Sequence, residues 1–255
     1  MGGYVTSQDR VLRCVVSTAE RNASLHPQAL AEGLDALRAL GPETGAVLLV
    51  GEGPSFCTGG DVGAFGSAED PETFIRQVAD AFHAFLLALV EAPVPVVAAV
   101  HGWAAGAGMS LVCASDLAIA GTSTFLKPGY PSLGFTPDGG MTWTLPRLVG
   151  AGRARAILLQ DRAIDAATGL DYGIFSQVVG DDEVAGKAER LAARLASGPT
   201  TALGGIKRLL QESGSRSLAD HLDVEGASIA RSAAGPEGRE GVAAFNERRK
   251  PRFSG

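Results

Sequence analysis

"PVPVVAAVHGWAAGAGMSLVCASDLAIA", residues 93–120, decides how this chain folds. "PVVAAV" (95–100) is a continuous apolar run, the pattern of a strand buried on both faces. "HGWAAGAG" then places Gly102, Gly106 and Gly108 in one loop, and "MSLVCAS" opens a helix. "DLAIAG" (116–121) is the next short strand. The stretch is apolar enough to suggest a membrane span. His101, Asp116, Pro95 and the glycines instead predict a buried strand, a loop and a helix.

The same order occurs upstream. "GAVLLVG" (45–51) reads as a buried strand, and "SFCTGGDVGAFG" (55–66) is a second glycine loop. "DPETFIRQVADAFHAFLLALVEA" (70–92) is a long helix opened by Asp70 and Pro71. Strand, glycine loop and helix thus occur twice, which predicts an α/β architecture with two equivalent loop sites. Before them, "RVLRCVVS" (10–17) reads as a strand and "PQALAEGLDALRAL" (27–40) as a helix. From Asp138 onward the pattern reads as almost wholly helical. Segments near 138–148, 151–160, 182–197, 199–213, 217–232 and 236–249 fit, with breaks at Pro199 and Gly235-Pro236.

The totals narrow the classes. A chain of 255 residues, 45% hydrophobic and 20% charged, supports a sizeable core and disfavours disorder. Net charge is −6, and no basic face stands out before the last residues, so no nucleic-acid partner is expected. The three cysteines, Cys14, Cys57 and Cys113, are widely spaced, and the four histidines form no pair at metal spacing. Reduced thiols in a cytoplasmic protein, without a metal site, are expected. "MGGYVTSQDR" lacks an apolar signal core, and no membrane association is expected.

A glycine loop between a buried strand and a helix exposes free backbone N–H groups, which can hold an anion. Phosphate is one candidate. There is no Gly-Lys-Ser/Thr, and no Gly-x-Gly-x-x-Gly after the first strand. A thioester oxygen becoming an enolate fits better, because it needs only two convergent donors, one from each loop. The alternative is that both loops are tight turns where backbones pack.

These residues resemble the crotonase (enoyl-CoA hydratase/isomerase) superfamily. "AERNASLHPQALAEGL", "LLVGEGPSFCTGGDVGAF", the opening stretch and "GFTPDGGMTWTLPRLVGAGRARAILL" carry the resemblance. It implies the ClpP/crotonase-like fold, a spiral core of repeated ββα turns with a C-terminal helical region. On that basis residues 1–195 are expected to form the spiral core with the active site. Residues 196–255 are expected to form a helical trimerisation region. The resemblance also implies an acyl-CoA thioester substrate, no cofactor, and a homotrimer or dimer of trimers. It implies an oxyanion hole made by the backbone N–H groups of Gly60 and Ala107. A small residue at Gly60 then lets the thioester approach, and Asp61 reads as a structural acid that fixes the loop.

The chain departs from the hydratases of that superfamily at two places. Their two catalytic glutamates fall on Ser110 and, after Pro128, on Gly129 or Tyr130. Neither position holds a carboxylate, so water addition by the usual route is not expected. Asp138, in "GFTPDGGMTW", remains. Here the chain resembles isomerases of the epoxyphenylacetyl-CoA isomerase type, which implies that Asp138 moves the proton. A helix N-cap is the other reading of Pro137-Asp138-Gly139. His83, Asp138 and Tyr130 also match positions of 4-chlorobenzoyl-CoA dehalogenase, with Tyr130 where that enzyme has a tryptophan. His83, Ser110 and Tyr130 are therefore possible site-lining residues, though His83 also sits among Phe82, Phe85 and Leu86 as a packed histidine would. Trp103, Phe65 and Phe135 are candidates for an acyl pocket or for core. Arg248, Arg249 and Lys250 are candidates for the CoA phosphates or for a solvated charge run.

The expected activity is a double-bond shift in an enoyl-CoA. Hydration, aspartate-dependent dehalogenation or hydrolysis, and a non-catalytic CoA-thioester-binding relative stand as alternatives.

Overall fold

Apolar and β-branched runs become the strands of two sheets in the computed structural model, which describes residues 3–253. Along the described chain the strands are β1 (Val5–Gln8), β2 (Val11–Thr18), β3 (Ala46–Glu52), β4 (Val96–Val100) and β5 (Trp103–Ala105). They continue with β6 (Leu117–Gly121), β7 (Phe125–Lys127), β8 (Ile164–Asp165) and β9 (Gln177–Val179). The main sheet runs β1-β2-β3-β4-β6-β9, and the smaller one β5-β7-β8. β1 and β2 form an antiparallel pair, and the remaining main-sheet neighbours are parallel.

Parallel strands need cover on both faces, and the residue alternation supplies it. Val47, Leu49, Val96, Ala98 and Val100 face one way, into a core shared with Leu30, Phe85, Leu89 and Met109. These last four come from the helices Pro27–Arg38, Pro71–Glu91 and Ala107–Ala114. Ala46, Leu48, Val97, Ala99 and Ile119 face the other way, against Val184, Ala188, Leu191 and Ala192 of the helix Val184–Ala196. Phe85 and Leu49 are fully buried. Each such side chain stabilises the fold by roughly 1.5–3 kcal/mol through area removed from water.

The repeating unit is a main-sheet strand, a short strand turned into the second sheet, then a helix. β4, β5 and the helix Ala107–Ala114 make one unit. β6, β7 and, after a loop, the helix Met141–Val149 make another. In the first glycine loop the second strand shrinks to a single bridge, Cys57 to Ala104. The result is an α/β spiral core followed by helices, the architecture that the resemblance implied. The apolar stretch 93–120 is strand, strand, helix and strand within it.

Two expectations are corrected. "HGWAAGAG" is not all loop, because Trp103–Ala105 pairs with Phe125–Lys127. The chain beyond Asp138 is not wholly helical, because β8 and β9 interrupt it. These strands are two or three residues long, too short for any periodicity to show.

The helix Pro71–Glu91 is long and apolar enough to cross a membrane by length and composition. Its Phe82, Phe85, Leu86 and Leu89 are buried in the core instead. After Ala196 come the helices Thr200–Ser213, Leu218–Ala234 and Pro236–Asn246. Lys207 pins the first of them to the core. Its ammonium donates to the carbonyl of Leu89 at 3.0 Å and pairs with Asp116 at 3.0 Å.

Candidate active site

Two loops run side by side because their backbones bond to each other. Phe56 N–H donates to His101 O at 2.8 Å, Cys57 N–H to Trp103 O at 3.1 Å, and Ala105 N–H to Cys57 O at 2.8 Å. This places Gly59-Gly60 beside Gly106-Ala107. The paired glycines have different causes. Gly59 adopts φ +97°, in the region that L side chains rarely enter. Gly60 lacks room, since a Cβ there would stand 2.5 Å from Cζ of Phe65. Its smallness therefore accommodates a neighbouring ring of the cavity wall.

Ala107 is the first residue of its helix, after Gly106 at φ 53°. First-turn N–H groups have no partner inside a helix. Among the described residues no protein acceptor takes the N–H of Gly60 or of Ala107. Both residues line one cavity of about 510 Å³. Asp61 closes the first loop. Its Oδ1 accepts from Ala64 N–H at 3.1 Å, capping the short helix Val62–Gly66, and its Oδ2 pairs with Arg21 at 3.1 Å.

Asp138 lines the same cavity, with Tyr130, Phe65, Phe82 and Phe135. Its Oδ1 accepts the Tyr130 hydroxyl at 2.7 Å, and its Oδ2 lies 3.7 Å from His83 Nε2. It is not a cap. The following helix, Met141–Val149, begins after Gly140 with no side-chain cap, and only the Asp138 carbonyl meets the Met141 N–H. Burial, then the charge of Asp138, pushes the Tyr130 phenol above its ordinary pKa range. Tyr130 therefore stays a donor.

His83 and Ser110 are near Asp138 without forming the cavity wall. The Ser110 hydroxyl is turned into the backbone, donating to Asp138 O at 3.2 Å and to Gly106 O at 3.4 Å. His83 is neither packed in the core nor part of the wall. Its side chain is 41% exposed, and Nε2 accepts the Gly139 N–H at 3.2 Å.

Comparison with known proteins fits this arrangement. The family described as enoyl-CoA hydratase/isomerase matches residues 7–255. The chain belongs to that family. It is 35% identical to 1,2-epoxyphenylacetyl-CoA isomerase of Escherichia coli over 214 residues, 82% of this chain and 80% of the relative. It is 30% identical to 4-chlorobenzoyl coenzyme A dehalogenase-1 of an Arthrobacter species, over 87% of this chain and 82% of the relative. Among solved structures, an enoyl-CoA hydratase from a Polaromonas species matches with a TM-score of 0.92 and 33% identity, over 98% of each chain. The three relatives carry the names of three chemistries on one scaffold.

In this crotonase-family enzyme the remaining candidates separate. Phe65 and Phe135 line the cavity, whereas Trp103 does not and instead stacks on Phe125, centroids 5.1 Å apart. Arg249 is held by Glu240 at 2.6 Å and Glu247 at 2.5 Å, and with it the Glu240 carboxyl falls to about 2. The three cysteines are buried, and burial raises each thiol to about 12, so none is a nucleophile near neutral pH. No cluster of His, Cys, Asp and Glu among the described residues fits a metal ion.

Several wall and support residues were not singled out from sequence. Ile75, Val78, Ala79 and Phe82 form one wall from the helix Pro71–Glu91. Their spacing is that of a single helix face, which is legible, but an apolar face does not say whether it meets core or cavity. Asp161 was missed without any local signal. Its Oδ1 accepts the Gly129 N–H at 2.7 Å and its Oδ2 pairs with Lys127 at 3.3 Å, fixing the loop that carries Tyr130.

Proposed function

We propose that the protein is an enoyl-CoA isomerase that moves a double bond along an acyl-CoA thioester. One observation carries this reading. Among the described residues, Asp138 is the only carboxylate on a cavity wall that also holds the unbonded N–H groups of Gly60 and Ala107. Two backbone donors suit an oxygen that gains charge, and a lone carboxylate suits a proton that leaves and returns. Asp138 takes the proton next to the thioester carbonyl. The two N–H groups stabilise the dienolate. Asp138 then returns the proton two carbons along the chain. This chemistry needs neither metal nor redox cofactor. The rest of the wall is largely apolar, which fits an uncharged acyl group.

Hydration is disfavoured by the same geometry. A water must be activated and a second proton supplied, and the usual positions offer Ser110, bonded to backbone carbonyls, and Gly129, tied to Asp161. Crotonyl-CoA is therefore expected to yield no 3-hydroxybutyryl-CoA, and 3-enoyl-CoA is expected to yield 2-enoyl-CoA. Chromatography with NMR of the products reads both. Efficient hydration, or no turnover of any 3-enoyl-CoA, defeats the proposal. The proximity of His83 to Asp138 favours one second reading, attack by Asp138 on an aromatic acyl group. Release of chloride from 4-chlorobenzoyl-CoA distinguishes it.

Assembly is part of the reading. The helix Leu218–Ala234 buries no residue, and Leu218 and Ile229 are 75% and 71% exposed. Ile206, Leu210, Val242 and Phe245 are exposed on the adjoining helices. So large an apolar surface calls for cover, and further copies of the chain, in a trimer or dimer of trimers, are the proposed occupants. Light scattering at micromolar concentration is expected to give three or six times the 26.1 kDa chain mass. A monomer refutes it.

A further inference from the structure

We infer that Tyr130 is a positioning residue for Asp138, holding one carboxylate oxygen so that the other alone carries the proton. The inference rests on the isomerase reading above. The bond from Tyr130 Oη to Asp138 Oδ1 is 2.7 Å, within the range of a hydroxyl donating to a charged oxygen. Its polarity is fixed, because an ionised carboxylate only accepts and a buried phenol beside it keeps its proton.

The tyrosine is itself fixed. Its ring packs against the core, and the preceding residue, Gly129, is anchored through its N–H to Asp161 at 2.7 Å. The other oxygen, Oδ2, has no donor among the described residues. His83 Nε2 is 3.7 Å away, beyond hydrogen-bond distance, and is turned to the Gly139 N–H at 3.2 Å. The two oxygens of Asp138 are therefore unlike. One is held, and the other is free at the edge of the cavity.

That difference matters for this reaction in particular. The base must collect a proton at one carbon and deliver it two carbons away. A carboxylate free to rotate about its Cβ–Cγ bond would present either oxygen in many orientations. Misplacement of a reacting group by about 1 Å costs roughly a hundredfold in rate. A tyrosine hydroxyl removes this freedom without contributing a second base.

Tyr130→Phe keeps the ring and deletes only the hydroxyl. With 3-enoyl-CoA as substrate, kcat is expected to fall about ten- to a hundredfold. KM, and the affinity for the unreactive probe butyryl-CoA, are expected to stay within about twofold, since the lost bond does not touch the substrate. Thermal melting checks the fold. Unchanged kcat overturns the proposal. So does a rise in KM at constant kcat, which would make Tyr130 a substrate contact. A variant that fails to fold would make the hydroxyl a structural element and overturn it equally. Asp138→Asn is measured in parallel. If that variant keeps its turnover, the isomerase reading through Asp138 falls and Tyr130 falls with it. If Asp138→Asn is inactive while Tyr130→Phe is normal, only the positioning role is lost.

Discussion

Asp138→Asn is expected to abolish isomerisation and leave the fold intact. An amide has nearly the size of the carboxylate, and its oxygen can still accept the Tyr130 hydroxyl that Asp138 accepts at 2.7 Å. It cannot take a proton near neutral pH. Loss of a general base costs roughly 100- to 10,000-fold, and a single carboxylate serving as both acceptor and donor places this site toward the larger figure. Stability should be unchanged, because Asp138 caps no helix and its side chain is partly exposed. Asp138→Ala should be equally inactive and should also melt near the wild-type temperature. It leaves Tyr130 without its acceptor, but on a cavity wall that water can reach. Isomerase rate, melting temperature and affinity for a CoA thioester, measured on the same preparations, check this. Wild-type turnover in Asp138→Asn would end the assignment. Among the described residues no other carboxylate and no histidine lines the cavity to take its place.

The residues that could be read from sequence are those whose role is local. β4 was legible because a strand buried on both faces is a continuous apolar run, and Val96–Val100 is buried throughout. β5 and β7 were not. Trp103 pairs with Phe125 in parallel, across an intervening helix and strand, and three residues carry no period. The site divides in the same way. The two loops announce themselves through glycines at positions such as Gly59 and Gly106 that take positive φ, but only a resemblance implies Gly60 and Ala107 as donors within them. Asp138 is one carboxylate among many in composition, and only a resemblance singles it out. Asp161 was invisible, because its bond to Gly129 spans 32 residues and depends on how the loop after β7 folds back. The assignment of Asp138 as a possible cap fails for a different reason. Pro137-Asp138-Gly139 is a good helix opening in isolation, but Gly139 and Gly140 both adopt positive φ. The helix therefore starts at Met141, and the Asp138 side chain turns back toward Tyr130.

Ala107→Pro is expected to lower turnover by roughly a hundredfold or more, equivalent to about 3 kcal/mol of transition-state stabilisation for one lost donor. The substitution deletes the N–H and sets a ring methylene in its place, so it removes the donor and narrows the hole. Ala107 is the first residue of the helix Ala107–Ala114, the position where proline is best tolerated, since its missing N–H makes no bond inside the helix. The residue before a proline is normally restricted to extended conformations. Here it is Gly106, at φ 53° and ψ −122°, the mirror image of an extended backbone and open to glycine alone. The Gly106 N–H keeps its bond to Lys127 O at 2.9 Å, and the Gly106 carbonyl keeps its bond from Ser110 N–H at 3.1 Å. The loop therefore has no reason to move. The lost donor should lower kcat, because the dienolate needs it more than a neutral thioester carbonyl does, and the ring methylene should raise KM as well. A folded Ala107→Pro protein with wild-type kcat would show that the Ala107 N–H does not face the reacting oxygen. Should the variant misfold, Gly60→Ala offers a second route to the same hole. A Cβ there meets Phe65 Cζ at 2.5 Å, so the Phe65 ring must shift in the cavity wall beside the Gly60 N–H. Lowered turnover in that variant would place the Gly60 loop at the reacting centre.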